Sequence, residues 1–179
     1  TEDMKPNPMS PYALHKLIGE EYCNLYYRLY GLETVALRGF NIYGPRQDPS
    51  GGYACLIPRF IELINTNTRP TINGDGEQTR DFVYVQDVVS ANLMAAKATN
   101  KKLFGEVVNV GSGKSLSVNK ITEMILKLSN KKIEPIHGPS VIEPRNTMAD
   151  IKKTKELLGW EPKYNLDQGM KETFEFFKN

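Results

Sequence analysis

Val107-Val108-Asn109-Val110-Gly111-Ser112-Gly113-Lys114-Ser115-Leu116-Ser117-Val118 decides the fold class. A β-branched run predicts a strand, two glycines in three residues predict a tight turn, and a helical pattern starts after Ser117. Strand, turn and helix in that order belong to an α/β chain. The turn shares the Gly-x-Gly-Lys-Ser ending of a phosphate-binding loop. The full pattern needs a glycine five residues before Gly113, and Val108 stands there, so the backbone cradle for phosphates is missing. The segment is read as a strand-to-helix turn.

The same alternation extends in both directions. Upstream, Ser10-Pro11 reads as an N-cap and a first-turn proline. Leu14, Ile18, Tyr22, Leu25 and Leu29 recur at helical spacing, and Gly31 ends the helix. A strand over 34–38 runs into the turn-rich loop Asn41-Ile42-Tyr43-Gly44-Pro45-Arg46, and 53–66 is helical. Segments 69–73 and 79–83 read as two strands joined into a hairpin by Asn73-Gly74-Asp75-Gly76. Helices are expected over 86–97, from Asp150 to Gly159 and from Leu166, with a strand over 132–136. Helices among strands predict an α/β fold with some parallel pairing. No phosphate-binding glycine fingerprint appears anywhere.

Composition narrows the function classes. The 179 residues suffice for one domain with a real core. With 23 basic and 21 acidic residues spread along the chain, the net charge of +2 gives no nucleic-acid signature. There is no apolar run long enough to span a membrane, and no signal peptide is expected. Two cysteines, Cys23 and Cys55, in helix-like stretches fit a reduced, cytoplasmic protein better than a disulfide framework. His15 and His137 have no partner at ligand spacing, so no metal site is expected. The tyrosines of the first helix, Tyr22, Tyr26, Tyr27 and Tyr30, read as core or interface packing rather than a ligand platform.

One pair of residues suggests chemistry. Tyr12 and Lys16 are four apart and share a helix face. A free phenol has a pKa of about 10, so a phenol that works as a base at neutral pH needs positive charge beside it. An ammonium one turn away supplies it.

Several segments occur together and in order: Pro11-Tyr12-Ala13-Leu14-His15-Lys16, Leu37 to Arg46, Asn73 to Val85, Asn109-Val110-Gly111-Ser112-Gly113, Ala149-Asp150-Ile151 and Leu157-Leu158-Gly159-Trp160-Glu161-Pro162. Over essentially its whole length the chain resembles the extended short-chain dehydrogenase/reductase family of nucleotide-sugar epimerases and dehydratases. The resemblance implies a Rossmann-type α/β fold with a small substrate domain. In that family a glycine-rich turn, most of the NAD-binding sheet and a catalytic Ser or Thr precede the Tyr/Lys helix. The chain is therefore expected to be the C-terminal part of such an enzyme, with activity requiring the missing portion. Residues 1–40 would hold the catalytic helix and a late strand of the NAD-binding domain. Residues 41–179 would be mainly the sugar-nucleotide domain, interleaved with the last Rossmann elements.

The resemblance implies NAD as cofactor and a UDP-sugar as substrate, UDP-glucose or UDP-galactose, epimerised at C4 through a 4-keto sugar. A 4,6-dehydratase or a non-catalytic sugar-nucleotide-binding module are the alternatives. Tyr12 would be the base, with Lys16 beside it on the cofactor. Asn41 matches a substrate ligand, and Arg80 matches the diphosphate ligand, with Asp81 offering a plain salt bridge as the alternative. Thr71 and Asn73 fall on the strand passing the uracil, and Leu56 on the helix facing it. By the resemblance Glu143 would take the acidic role on the ribose and Arg145 matches the family's second Arg, whereas Ser140 stands where the family carries a first one, a diphosphate ligand; either Arg145 compensates or phosphate binding is weaker. Thr147 occupies the position that limits the group at the sugar's C2. Its small side chain, with Gly52-Tyr53-Ala54-Cys55-Leu56-Ile57-Pro58, implies tolerance of N-acetylhexosamine forms. A homodimer formed through the Tyr/Lys helix is expected for the complete enzyme.

Overall fold

The computed structural model describes residues 1–50 and 55–178. Helix α1 (Pro11–Tyr30) begins where the sequence predicts: the Ser10 hydroxyl accepts the Ala13 amide at 3.1 Å and Pro11 fills the first turn. It stops at Gly31, whose φ of 67° lets its amide return to the Tyr27 carbonyl. No residue of α1 is buried. Its contacts run to strand β1 (Ala36–Gly39). They are fastened by the Glu20–Arg38 ion pair at 2.6 Å and by Asn24 Nδ2 donating to the Gly105 carbonyl at 2.9 Å. Gly105 must be glycine: its φ is 79°, and a Cβ there would sit 2.3 Å from the Tyr27 ring.

The helix is therefore not core. Leu14, Ile18, Tyr22, Leu25, Tyr26, Leu29 and Tyr30 are exposed, and Tyr22, Tyr26 and Tyr30 contact one another edge-on along the surface. The core alternative for this stripe is thereby corrected.

Strand β1 pairs in parallel with β6 (Val107–Val110). The loop at 41–46 contains a strand, β2 (Asn41–Tyr43), parallel to β5 (Phe82–Tyr84). The expected hairpin is absent. Strand β3 (Thr71–Asn73) pairs in parallel with β8 (Ile136–Gly138), and β4 (Thr79–Arg80) pairs antiparallel with β7 (Leu116–Ser117). The turn forms, with Gly74 and Gly76 both at positive φ. Its two arms, however, find other partners, because Ile72 and Phe82 are each drawn into the core. The arrangement is an α/β, Rossmann-like fold of parallel and antiparallel pairs with interspersed helices.

Two apolar clusters organise these elements. In the larger, α2 (Leu56–Asn65), α4 (Val118–Ser129) and α6 (Leu166–Lys178) pack together through Ile57, Ile61, Ile64, Ile121, Ile125 and Met170, over Ile72, Phe82 and Tyr84. Helix α4 is capped by the Ser117 hydroxyl. The expected helical start at 53–54 lies outside the described residues. In the smaller cluster, Trp160 joins Ala91 of α3 (Val85–Ala96) and Val110 of β6, flanked by Leu158 of α5 (Lys152–Leu158). No described helix is long and apolar enough to cross a membrane.

Candidate functional site

Strand β4 and the chain over 143–149 bring several of the candidate residues together. The 143–149 strap lies along β4: the Thr79 amide donates to the Arg145 carbonyl at 3.0 Å, and the Thr147 amide donates to the Thr79 carbonyl at 3.1 Å. A parallel bridge joins Thr79 to Asn146, whose side chain accepts the Thr79 hydroxyl. Arg80 points at this strap. Its guanidinium pairs with Glu143 at 2.9 Å and donates to the Thr79 and Arg145 carbonyls. Asp81 is not its partner, which corrects the plain alternative drawn from sequence. Arg145 forms a bidentate pair with Asp75 in the turn after β3, at 2.7 and 2.9 Å. Thr147 is partly buried, and its hydroxyl has no hydrogen-bond partner among the described residues.

The turn is stitched to β8 as well. The Gly74 amide donates to the Gly138 carbonyl, and His137 Nδ1 lies 2.8 Å from the Gly74 carbonyl. A Cβ at Gly74 would lie 3.1 Å from the Ser140 hydroxyl, so Ser140 sits directly on this turn. Thr71 and Asn73 are exposed on one face of β3, with the buried Ile72 between them on the other. Thus Thr71, Asn73, Arg80, Glu143, Arg145 and Thr147 form one neighbourhood. Asn41 joins it through Asp81: its amide and its Nδ2 both donate to the Asp81 carbonyl, at 3.0 and 3.2 Å. Leu56 opens α2 and packs partly against the larger cluster. Tyr12 and Lys16 stand on the first turns of α1, with the Lys16 ammonium 5.4 Å from the centre of the Tyr12 ring. An open groove of about 410 Å³, lined by Leu93, Met94, Asn100 and Leu158, contains none of these residues.

The Arg145 guanidinium, helped by the Glu77 amide, holds the Asp75 carboxyl at about 2, below the ordinary carboxylate range. A carboxyl whose pKa is depressed by folding favours the folded arrangement above its unfolded value. That contribution is lost as pH falls through the folded one. The Arg145–Asp75 pair is therefore expected to stay intact in neutral and mildly acid solution and to open as pH falls through about 2. Carboxyl-carbon NMR titration checks this, and Arg145→Ala should move the Asp75 midpoint upward.

Sequence reasoning missed the residue that joins these parts. The Asp81 carboxylate is fully buried. Oδ1 accepts the Ser112 amide and hydroxyl, both at 2.7 Å, and Oδ2 accepts the Gly113 and Ala149 amides at 3.0 and 3.1 Å. The Gly111-Ser112-Gly113 turn wraps this internal carboxylate. The available signal was an acid directly preceding the apolar run Phe82-Val83-Tyr84, which places it next to a buried strand. A second such carboxylate, Asp87, accepts the Lys163 and Tyr164 amides and was equally unread.

Residues 1–111 match the NAD dependent epimerase/dehydratase family. The chain is 47% identical over 174 residues to a putative UDP-glucose 4-epimerase of Methanocaldococcus jannaschii, covering 97% of this chain and 55% of that protein. The UDP-N-acetylglucosamine 4-epimerase of Methanobrevibacter ruminantium, solved with UDP-N-acetylmuramic acid, superposes with a TM-score of 0.91 at 35% identity, over 99% of this chain and 56% of that one. The UDP-glucose 4-epimerase of Thermotoga maritima, solved with UDP-glucose, gives 0.87 at 38% identity, over 99% and 59%. The chain thus spans about half the length of the curated relatives it matches. The match over residues 1–111, together with these whole-chain likenesses, makes the protein a member of the NAD-dependent nucleotide-sugar epimerase/dehydratase family of extended short-chain dehydrogenases/reductases.

Proposed function

We propose that the protein serves an NAD-dependent UDP-sugar 4-epimerase, with UDP-glucose/UDP-galactose and their N-acetylhexosamine forms as substrates. The observation that carries this reading is the placing of two guanidinium groups, Arg80 on β4 and Arg145 on the strap that lies along it, beside the turn that follows β3. A guanidinium fork suits a diphosphate. Both forks now hold carboxylates, the anions in this structure that a diphosphate would replace. Thr71 and Asn73 lie on the exposed face of β3, within reach of a base, and Asn41 is held at the sugar end by Asp81. The short side chain of Thr147 would suit an N-acetyl group at the sugar's C2.

The NAD side rests on α1. Tyr12 and Lys16 are exposed residues on one helix face, a phenol and an ammonium of the kind that suit the hydroxyls of a ribose. Tyr12 and Lys16 would hold the nicotinamide ribose of NAD, which when bound would supply reversible hydride acceptance for the sugar carbon. Tyr12 takes the proton of the sugar's 4-hydroxyl and returns it after the 4-keto sugar has turned over. Lys16 offsets the charge on the phenolate. The apolar exposed face of α1 supports the homodimer expected of complete family members.

Calorimetric titration with UDP-N-acetylglucosamine, dTDP-glucose and NAD in turn tests the reading. Selective UDP-sugar binding supports it, preference for dTDP-glucose moves it to the 4,6-dehydratases, and no sugar-nucleotide binding removes it. Arg80→Ala is expected to weaken UDP binding about 10- to 100-fold, the range for a hydrogen bond to a charged group. Uridine, which has no phosphate, should bind the variant and the parent alike.

A further inference from the structure

We propose that Asp81 is the positioning residue of this site: its buried carboxylate clamps the strap that carries Arg145 and Thr147, while its carbonyl oxygen holds Asn41. An ionised carboxylate offers about four acceptor sites and no donor. Here all four are met by donors from two segments far apart in sequence, the 112–113 turn and Ala149. The fit is close on every side. A Cβ on Gly111 would lie 2.5 Å from the Ala149 Cβ and 2.9 Å from Asp81 Oδ2, so only glycine lets the turn, the carboxylate and the strap meet.

The other fastenings of the strap differ in kind. Glu143–Arg80 and Arg145–Asp75 are partly or largely exposed, and exposed pairs hold weakly. Asp81–Ala149 is the strap's side-chain anchor with both partners buried, two residues beyond Thr147. A hydrogen bond to a charged group away from water is strong, and its donors are costly to orphan. The same residue reaches Asn41 through its main chain, so one position sets the register of both sides of the site. The consequence for ligand rests on the UDP-sugar reading above, whereas the clamp itself does not.

Two measurements on the 179-residue protein test this. The first is amide hydrogen exchange of the unsubstituted protein: Ala149 should be protected like Ile121 and Ile125 in α4. Exchange of Ala149 as fast as that of exposed Asn146 overturns the clamp without any variant. The second compares Asp81→Asn with the parent. The amide cannot accept at both ends, so two donors lose their acceptor. Exchange over 143–149 should rise at least about tenfold relative to α4, with UDP affinity falling at least about tenfold and uridine affinity much less. If exchange in the strap and α4 rises together and the affinity for UDP is unchanged, Asp81 serves stability alone and the positioning role is overturned. If the unsubstituted protein binds no UDP, the UDP-sugar reading fails, and the exchange data still decide the clamp.

Discussion

In the complete 4-epimerase proposed above, Tyr12→Phe is expected to lower turnover by about 100- to 10,000-fold, the range for loss of a positioned proton-transfer group. The substitution removes one oxygen and leaves the ring where it packs, on the first turn of a helix whose cap comes from Ser10 and not from Tyr12. The fall should therefore appear in kcat. KM for the UDP-sugar should hardly move, since the diphosphate contacts proposed for Arg80 and Arg145 lie on β4 and the strap. Lys16→Met should cost turnover too, because the positive charge beside the Tyr12 ring is lost while the helix keeps a good helix former. Interconversion of UDP-glucose and UDP-galactose by the complete enzyme in the presence of NAD reads both effects. An unchanged kcat in Tyr12→Phe would assign the proton to another group.

The second large effect concerns stability. Trp160→Ala is expected to destabilise the fold by about 3–5 kcal/mol, as for other buried Trp or Phe truncations. Trp160 is almost wholly buried between Ala91 and Val110, with Leu37, Val88, Ile151 and Leu158 around it. Its indole N–H also donates to the Asp87 carbonyl at 3.1 Å and to the Ser90 hydroxyl at 2.8 Å. Truncation leaves a cavity and removes the donor these oxygens share. Trp160→Phe keeps most of the volume and should cost about 1–3 kcal/mol for the unmet polar group. Thermal unfolding checks both, with a midpoint shift of roughly 10 °C or more expected for Ala. Equal loss in the two variants would mean that the indole hydrogen bonds, rather than packing, dominate.

Much of the local structure was legible because its causes are local. Ser10 and Ser117 cap helices with their own hydroxyls, and Gly31 and Gly159 end helices at positive φ. These depend on neighbours within one turn. The exposed and buried alternation of Thr71, Ile72 and Asn73 was also readable as a strand. Its partner was not. A glycine turn between two strands favours a hairpin only while no distant strand competes. Here β8 and β7 compete successfully, since pairing with them lets Ile72 and Leu116 pack on the larger cluster.

The residue types of the site were legible for the same reason that their contacts were not. Arg80, Glu143 and Arg145 could be singled out, yet which carboxylate meets which guanidinium depends on the strap lying along β4. By itself the sequence determined the helices, their caps, the α/β class and the candidate residues, because propensity, capping and periodicity act over a few residues. Tertiary structure alone decided the strand partners, the exposure of the α1 stripe and the burial of Asp81 among four donors. Those outcomes depend on which distant segments come together to fill a core and satisfy a buried charge, and that balance is struck only in the folded chain.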